Sequence, residues 1–258
     1  MSTKSETAVT VRDVWMSFPG KRAGEPIHVL ENIDLDVRHG EFVCIVGPSG
    51  CGKSTLLNIV AGFLAASRGT TIVEGEPVRG PDPRRLFIFQ ENGVFPWLTV
   101  EQNVGFGLLN KPQAERRATA QHYIDMVGLT GFESSYPREL SGGMRQRVEI
   151  ARALAANPEI IYMDEPFGAL DFLTRLKMRG DLVRIWQQEK KTILFVTHDI
   201  EEAVQLADRV VVMSKRPATI QKIFNVNLPR PRDLDSPEYL QTRDSIFQTM
   251  GMSLRVGS

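Results

Sequence analysis

The sequence predicts an α/β fold: a strand-and-helix core, an antiparallel β subdomain ahead of it, and a mostly helical insert within it. Three observations carry that reading. Between the apolar run Phe42–Val46 and the helical stretch that opens at Leu56 lies Gly47-Pro48-Ser49-Gly50-Cys51-Gly52-Lys53-Ser54-Thr55. From about residue 90 to 157 the signals are almost all helical. A strand-helix alternation then returns at Glu159 and runs to Met213.

Taken in order, residues 8 to 46 read as β. Val9-Thr10-Val11 and Ile33-Asp34-Leu35-Asp36-Val37 alternate apolar and polar, as half-buried strands do. A loop from Phe18 to Gly24 separates them, and His39-Gly40 turns into the apolar strand Phe42–Val46. The helix after Lys53 is expected to stop at Gly62. Short strands follow at Thr71–Val73 and at Leu86–Phe89, the second ending on Gln90. Thr99-Val100-Glu101-Gln102 has the capping-box pattern and opens a helix. Further helices are expected at Ala114–Val127 and at Met144–Ala156, the latter stopped by Asn157-Pro158. Then come strand Glu159–Met163, helix Phe172–Lys190, strand Thr192–Thr197, helix Glu201–Ala207 and strand Val210–Met213. A proline-broken linker, Leu228-Pro229-Arg230-Pro231-Arg232-Asp233, leads to a final helix at Ser236–Met250. The whole chain, 1–258, reads as one domain: core about 8–89 and 158–225, helical subdomain about 90–157, and C-terminal linker and helix about 226–258.

Composition sets bounds on function. The apolar fraction of 42% supports a full core. Acidic and basic residues balance at 31 each, which removes the electrostatic case for nucleic acid or an anionic membrane. The two cysteines, Cys44 and Cys51, suggest no disulfide framework and fit a reducing compartment. No signal-peptide core opens the chain and no apolar run approaches a membrane span, so a soluble protein that reaches a membrane only by docking is expected.

The glycine stretch carries the chemistry. Gly, four residues, then Gly-Lys-Ser, between a strand and a helix, is the phosphate-binding loop of a P-loop NTPase core. Its glycines let successive N–H groups turn inward, and the helix N-terminus adds a positive dipole end. Lys53 reaches β- and γ-phosphates, and the Ser54 hydroxyl ligates Mg²⁺. A plain glycine turn has no need of Lys-Ser directly after its last glycine. The strand Ile160–Met163 ends in Asp164-Glu165, which places two carboxylates at the strand end where ligands gather in doubly wound sheets. Asp164 is expected to hold Mg²⁺ and Glu165 to orient or activate water. Leu140-Ser141-Gly142-Gly143-Met144-Arg145-Gln146 is a second glycine turn at a helix start, either an anion cradle or an ordinary serine cap.

Leu-Ser-Gly-Gly-Met-Arg-Gln-Arg resembles the signature motif of the ATP-binding-cassette (ABC) family, and its companions stand in order over residues 8 to 225. Gln90 resembles the family's glutamine loop, Ala169-Leu170-Asp171 the motif after the Asp-Glu pair, and His198 the switch histidine. Phe18 stands where the family has an aromatic residue stacked on adenine. The resemblance implies two such chains paired head to tail around two ATP molecules. Each ATP would lie between the Lys53 loop of one chain and the turn of Ser141, Gly142, Gly143, Met144 and Gln146 of the other. Glu165 would polarise water and His198 would hold the γ-phosphate side. Ser54, Gln90 and Asp164 would hold Mg²⁺, and Asp171 would lie on the dimer-interface loop.

Phe95-Pro96-Trp97-Leu98, closely following Gln90, reads either as a docking groove for a partner helix or as packing onto the helical insert. In family transporters that region receives a cytoplasmic helix of the membrane subunit. Val94–Val100 and the tail Leu228–Asp233 resemble the nitrate, sulfonate and taurine importer branch, whose ATPases work with a separate permease and a substrate-binding protein. Val94-Phe95 and Glu149 depart from that branch's usual pattern. The resemblance implies a peripheral ATPase on the cytoplasmic face of a bacterial-type inner membrane. A non-transport cassette ATPase acting on nucleic acid or ribosomes is the alternative, weakened by the single cassette and the lack of a coiled-coil insert. A regulatory nucleotide binder without turnover is disfavoured by the presence of Glu165 and His198. The transported solute is not legible.

Overall fold

The computed structural model describes residues 6–20, 25–90, 93–168 and 170–252. Ala169 of the Ala-Leu-Asp motif, Glu91 at the head of the expected docking loop, the loop stretch 21–24 and both ends (1–5, 253–258) lie outside the described residues. In chain order come β1 (Thr7–Phe18), β2 (Ile27–Arg38), β3 (Phe42–Val46), α1 (Lys53–Ala61), β4 (Arg68–Val73), β5 (Glu76–Pro77) and β6 (Arg85–Ile88). Then follow α2 (Val100–Val104), α3 (Gln113–Met126), α4 (Gly142–Ala155), β7 (Ile160–Asp164) and α5 (Phe172–Glu189). Last are β8 (Thr192–Val196), α6 (Ile200–Leu206), β9 (Arg209–Met213), β10 (Ile220–Asn225) and α7 (Pro237–Thr249). No helix among the described residues is long and apolar enough to cross a membrane. The elements fall into two compact units, Met1–Asp82 with Lys191–Ser258, and Pro83–Lys190.

The first unit holds two β layers. β1 lies antiparallel between β2 and β4, with Val11 opposite Leu35 and Val9 opposite Val73, and β5 extends β4, so the expected antiparallel β subdomain is present. In the other layer β3 runs parallel to both β8 and β9, and β10 closes the edge antiparallel to β9. All five residues of β3 and all five of β8 are buried. Such unbroken apolar strands are what a parallel sheet covered on both faces requires. α1 starts at Lys53 straight out of the glycine loop and ends on Gly62 in the left-handed conformation.

The tail behind β10 is pinned to this unit. Arg230 donates to Asp208 at 2.7 Å and to the Leu206 carbonyl at 2.7 Å. Arg232 is buried and donates to the carbonyls of Val204, Ala207 (2.6 Å) and Val226 (3.1 Å). Burial first, then the charge of Arg230, lowers the Arg232 guanidinium to about 10. Ser236 caps α7, and the Tyr239 hydroxyl donates to the Glu201 carbonyl at 3.1 Å.

The second unit pairs β6 with β7 in parallel, Arg85 opposite Ile160 and Ile88 opposite Met163. It contains the stretch 90–157 expected to be helical, together with β6, β7 and α5. α2, α3 and α4 pack on one another, and α4 also packs on β6 and α5. The Thr99–Gln102 capping box forms as the sequence predicts, but α2 is short and passes into a 3₁₀ turn at Phe106–Leu108. α4 opens at Gly142, two residues ahead of the expected Met144, because Ser141 supplies the cap.

Arg232→Ala leaves three buried carbonyls without their donor. It is expected to lower unfolding free energy by about 2–4 kcal/mol in urea titration, with Arg232→Lys restoring only part, since one ammonium cannot span three acceptors.

Candidate functional site

The phosphate loop hangs from the carboxyl end of β3. Gly50 (φ 72°) and Gly52 (φ 122°) take positive φ, as the tight reversal demands. A side chain on Gly52 would also stand 2.9 Å from Val29 and Leu30, so β2 backs the loop closely. Cys51 N–H donates to the Pro48 carbonyl at 3.2 Å and tightens the turn. Lys53 is only 5% exposed, and its Nζ donates to the carbonyls of Gly47 (3.0 Å) and Pro48 (3.2 Å). The loop is thus closed around its own lysine. Ser49, Gly50 and Ser54 are exposed, while Pro48 and Thr55 are half-buried. Cys51 is buried, and burial pushes its thiol up against the opposing pull of Lys53. Its side chain therefore packs beneath the loop, and only its backbone faces the cradle.

The same edge of the sheet carries His198. Ile45 on β3 lies beside Val196 on β8, and Thr197 N–H donates to the Ile45 carbonyl at 3.2 Å. The exposed His198 thus leaves the sheet beside the strand that feeds the loop. Asp199 directly behind it caps α6 by accepting from Glu202 N–H at 3.1 Å, which holds the backbone at His198. A residue that the motifs do not mark also comes to this edge. Arg216 follows β9, and its Nη2 lies 3.9 Å from where a Cβ on Gly50 would stand. Its only sequence signal is position, three residues past a strand flanking β3. Phe18 is half-buried at the end of β1, opposite Ile27. Its neighbour Trp15 is engaged otherwise, donating to Asp13 at 2.6 Å beneath the guanidinium of Arg68.

In the second unit Asp164 ends β7 and Gln90 lies two residues past β6. These strands are parallel neighbours, so both side chains leave one edge. Glu165 takes φ 46°, unusual for a residue with a side chain. The turn behind it is closed by Gly168 N–H donating to the Glu165 carbonyl at 3.1 Å. A methyl on Gly168 would stand 3.7 Å from Gln90 Nε2 and 4.0 Å from Glu165 Oε2, so the amide and the carboxylate face one point. The structure brings Gln90 and Glu165 together, which their sequence positions do not reveal.

The glycine turn before α4 is a capped helix start. Ser141 Oγ accepts from Met144 N–H at 3.2 Å. Ser141 is exposed, Gly142 and Met144 half-buried, and Gly143 buried where a Cβ would meet Thr174 of α5 at 2.6 Å. Gln146 is 2% exposed, and its Nε2 has no hydrogen-bond partner among the described residues. It faces inward, unlike Ser141. Asp171 caps α5 through Thr174 N–H at 3.0 Å, and that bond holds its carboxyl below the usual range.

Phe95 to Leu98 are also placed by this unit. Phe95 stacks on Phe106 with ring centroids 4.5 Å apart and lies under the Arg152 guanidinium. Trp97, 70% exposed, is not packed away on the helices. A cavity of about 370 Å³ beside it is lined by Trp97, Phe106, Leu109 and Arg116 among others.

Comparison with known proteins places this geometry in a family. A family profile described as ABC transporter matches residues 30–168. A putative ATP-binding protein of Brucella abortus is 50% identical over 226 residues, which is 86% of this chain and 87% of that protein. A nitrate import ATP-binding protein of a Synechocystis species is 51% identical, covering 85% of this chain and 82% of that one. An aliphatic sulfonates import ATP-binding protein of Bacillus cereus is 47% identical over 86% of this chain and 88% of its own length. Among solved structures, a dimeric ATP-binding cassette in a post-hydrolysis state with ADP and Pi superposes with a TM-score of 0.72 at 33% identity, covering 85% of this chain and 99% of that one. The chain belongs to the ABC transporter family, as an ATP-binding and ATP-hydrolysing subunit.

Proposed function

We propose that this ATPase powers uptake of a small anion of the nitrate or organosulfonate kind through a separate membrane permease. The observation that carries the ATPase chemistry is the lysine-closed loop at the carboxyl end of β3, with His198 leaving the adjacent strand. The import assignment is supported by relatives named for nitrate and for aliphatic sulfonates import, each about half identical over more than four-fifths of the chain. A substrate-binding protein outside the membrane would supply the solute. The chain itself would work on the cytoplasmic face, as one of a head-to-tail pair, a reading supported by the dimeric cassette it resembles.

The residues divide the chemistry. Backbone N–H groups of Gly47 to Thr55 take the phosphates, and Lys53 leaves its two carbonyls for β- and γ-phosphate oxygens. Phe18 offers a face to the adenine. Glu165 orients the attacking water, and the Gln90 amide facing the same point helps to hold it. His198 stabilises charge on the γ-phosphate side. Ser141 and the N–H groups of Gly142, Gly143 and Met144 offer a second anion cradle to the ATP of the paired chain. Asp171 lies on the loop that meets the paired chain. The hydroxyl of Ser54, the amide oxygen of Gln90 and the carboxylate of Asp164 are hard oxygen donors, a set that fits Mg²⁺. When bound, the ion neutralises charge on the phosphate oxygens. Phe95, Pro96, Trp97 and Leu98 receive the permease.

Lys53→Ala is expected to cut the steady-state ATPase rate by roughly 10²–10³-fold and to weaken nucleotide binding in a fluorescent-ATP titration. Unchanged turnover would remove Lys53 from the site. Glu165→Gln is expected to bind ATP without hydrolysing it and to elute as a dimer on size exclusion in Mg-ATP. A monomer at saturating nucleotide counts against the head-to-tail pair. Trp97→Ala is expected to keep basal ATPase and lose co-purification with a multi-span permease from detergent-solubilised membranes, where the unaltered chain retains it. Recovery of the unaltered chain with ribosomes or DNA instead would sink the transport assignment.

A further inference from the structure

Glu149, which departs from the usual signature-helix pattern, sits in the interior of the second unit. It is 1% exposed on α4, at a cavity of about 310 Å³ whose lining is otherwise apolar except for Arg152. A carboxylate in such surroundings is costly, and an apolar residue of similar volume would pack there at less expense. What the two charged residues hold is a single residue, Gly93, through both of its backbone polar groups. Gly93 N–H donates to Glu149 Oε1 at 3.3 Å, and Arg152 Nη1 donates to the Gly93 carbonyl at 2.7 Å. Glu149 and Arg152 lie 3.8 Å apart, and the Arg152 guanidinium also covers the Phe95 ring at 5.0 Å. A Cβ on Gly93 would meet Glu149 Oε1 at 2.7 Å, so a side chain there displaces the carboxylate.

We propose that Glu149 and Arg152 are positioning residues for ATP hydrolysis: they grip both polar groups of Gly93 and so tie the backbone three residues past Gln90 to the helix that starts at Gly142. The inference rests on the assignment of Gln90 to the nucleotide under Proposed function. Its mechanical content is that Gly93, three residues along the chain from Gln90, is held to the helix that the Ser141 turn opens. Phe95 lies under the same arginine.

The grip depends on charge. An ionised carboxylate accepts an N–H far better than a neutral acid. Burial raises Glu149 to about 7, against the opposing charge of Arg152 and the Gly93 bond. Arg152 is the one charged group facing Glu149 among the described residues lining the cavity, and burial lowers its own value. Below that point Glu149 is neutral and the grip on Gly93 loosens. Above it the carboxylate forms and the grip tightens.

The test uses the full chain with Mg-ATP, reading kcat and KM for ATP from about pH 6 to about pH 8.5 in the unaltered protein and in Glu149→Gln, Gly93→Ala and Gln90→Ala. The ratio of kcat, unaltered over Glu149→Gln, is expected near one at the acid end. It rises about three- to tenfold with a midpoint near 7, while KM for ATP stays within about twofold. Gly93→Ala, which keeps Glu149 but pushes its carboxylate off the residue-93 N–H, is expected to show the same loss of kcat at the alkaline end. A ratio that is flat with pH, or losses of kcat and KM that track a lowered melting temperature, overturns the positioning role. Normal turnover in Gln90→Ala overturns the Gln90 assignment and the inference with it. An impaired Gln90→Ala beside a flat Glu149→Gln ratio leaves the assignment standing and removes the inference alone.

Discussion

The contact of Lys53 with the carbonyls of Gly47 and Pro48 is the constraint on which the first unit turns. A buried ammonium needs acceptors, and the loop supplies them from its own backbone. The reversal that brings those carbonyls to Nζ requires positive φ at Gly50 and Gly52, and the second of these is pressed against Val29 and Leu30. The loop therefore holds its place only because β2 stands behind it and because β3, buried along its whole length, is gripped by β8 and β9. On the role proposed for Lys53, exchange of the two neutral carbonyls for anionic phosphate oxygens would strengthen the bonds of the same ammonium without rebuilding the loop. Such preorganisation is how a site stabilises developing charge with little reorganisation.

A comparable economy governs the second unit. Glu165 is held at φ 46°, a conformation that costs about 1–3 kcal/mol for a residue with a side chain. The turn at Gly168 accepts that strain and in return aims the carboxylate at the point faced by Gln90. Parallel pairing of β6 with β7 is what makes this meeting possible, since both side chains leave the sheet at one edge.

Legibility in the sequence followed the range of the interaction. Features set within a few residues were plain: the phosphate loop, the Thr99–Gln102 capping box and the Gly62 stop. β10 was not, because Ile-Gln-Lys-Ile-Phe-Asn shows no alternation and the strand is an exposed edge shaped by its pairing with β9. Nor was the two-residue β5, which exists only through β4. Among site residues, Arg216 and the Gln90–Glu165 meeting depend on which strands lie side by side, and no spacing encodes that. Glu149 stood out in the sequence only as a departure. Its partner, the backbone of Gly93, has no side chain by which a sequence could announce it.

The exposed Trp97 is best understood through a residue that carries no chemistry of its own. Asn103 is fully buried; its Oδ1 accepts from Phe95 N–H at 2.8 Å, and its Nδ2 donates to the carbonyls of Phe95 (3.1 Å), Leu98 (2.9 Å) and Thr99 (3.0 Å). One amide thus satisfies the backbone on both sides of Pro96 and Trp97, while Phe95 is stacked on Phe106 beneath Arg152. A large apolar side chain held out on so well anchored a backbone has already met most of its ordering cost during folding. On the docking proposed for Trp97, binding would gain the burial of the indole with little further loss of chain entropy, the condition that favours aromatic anchors at protein interfaces. The same bonds tie the segment to α2, and the bonds of Gly93 to Glu149 and Arg152 tie it to α4.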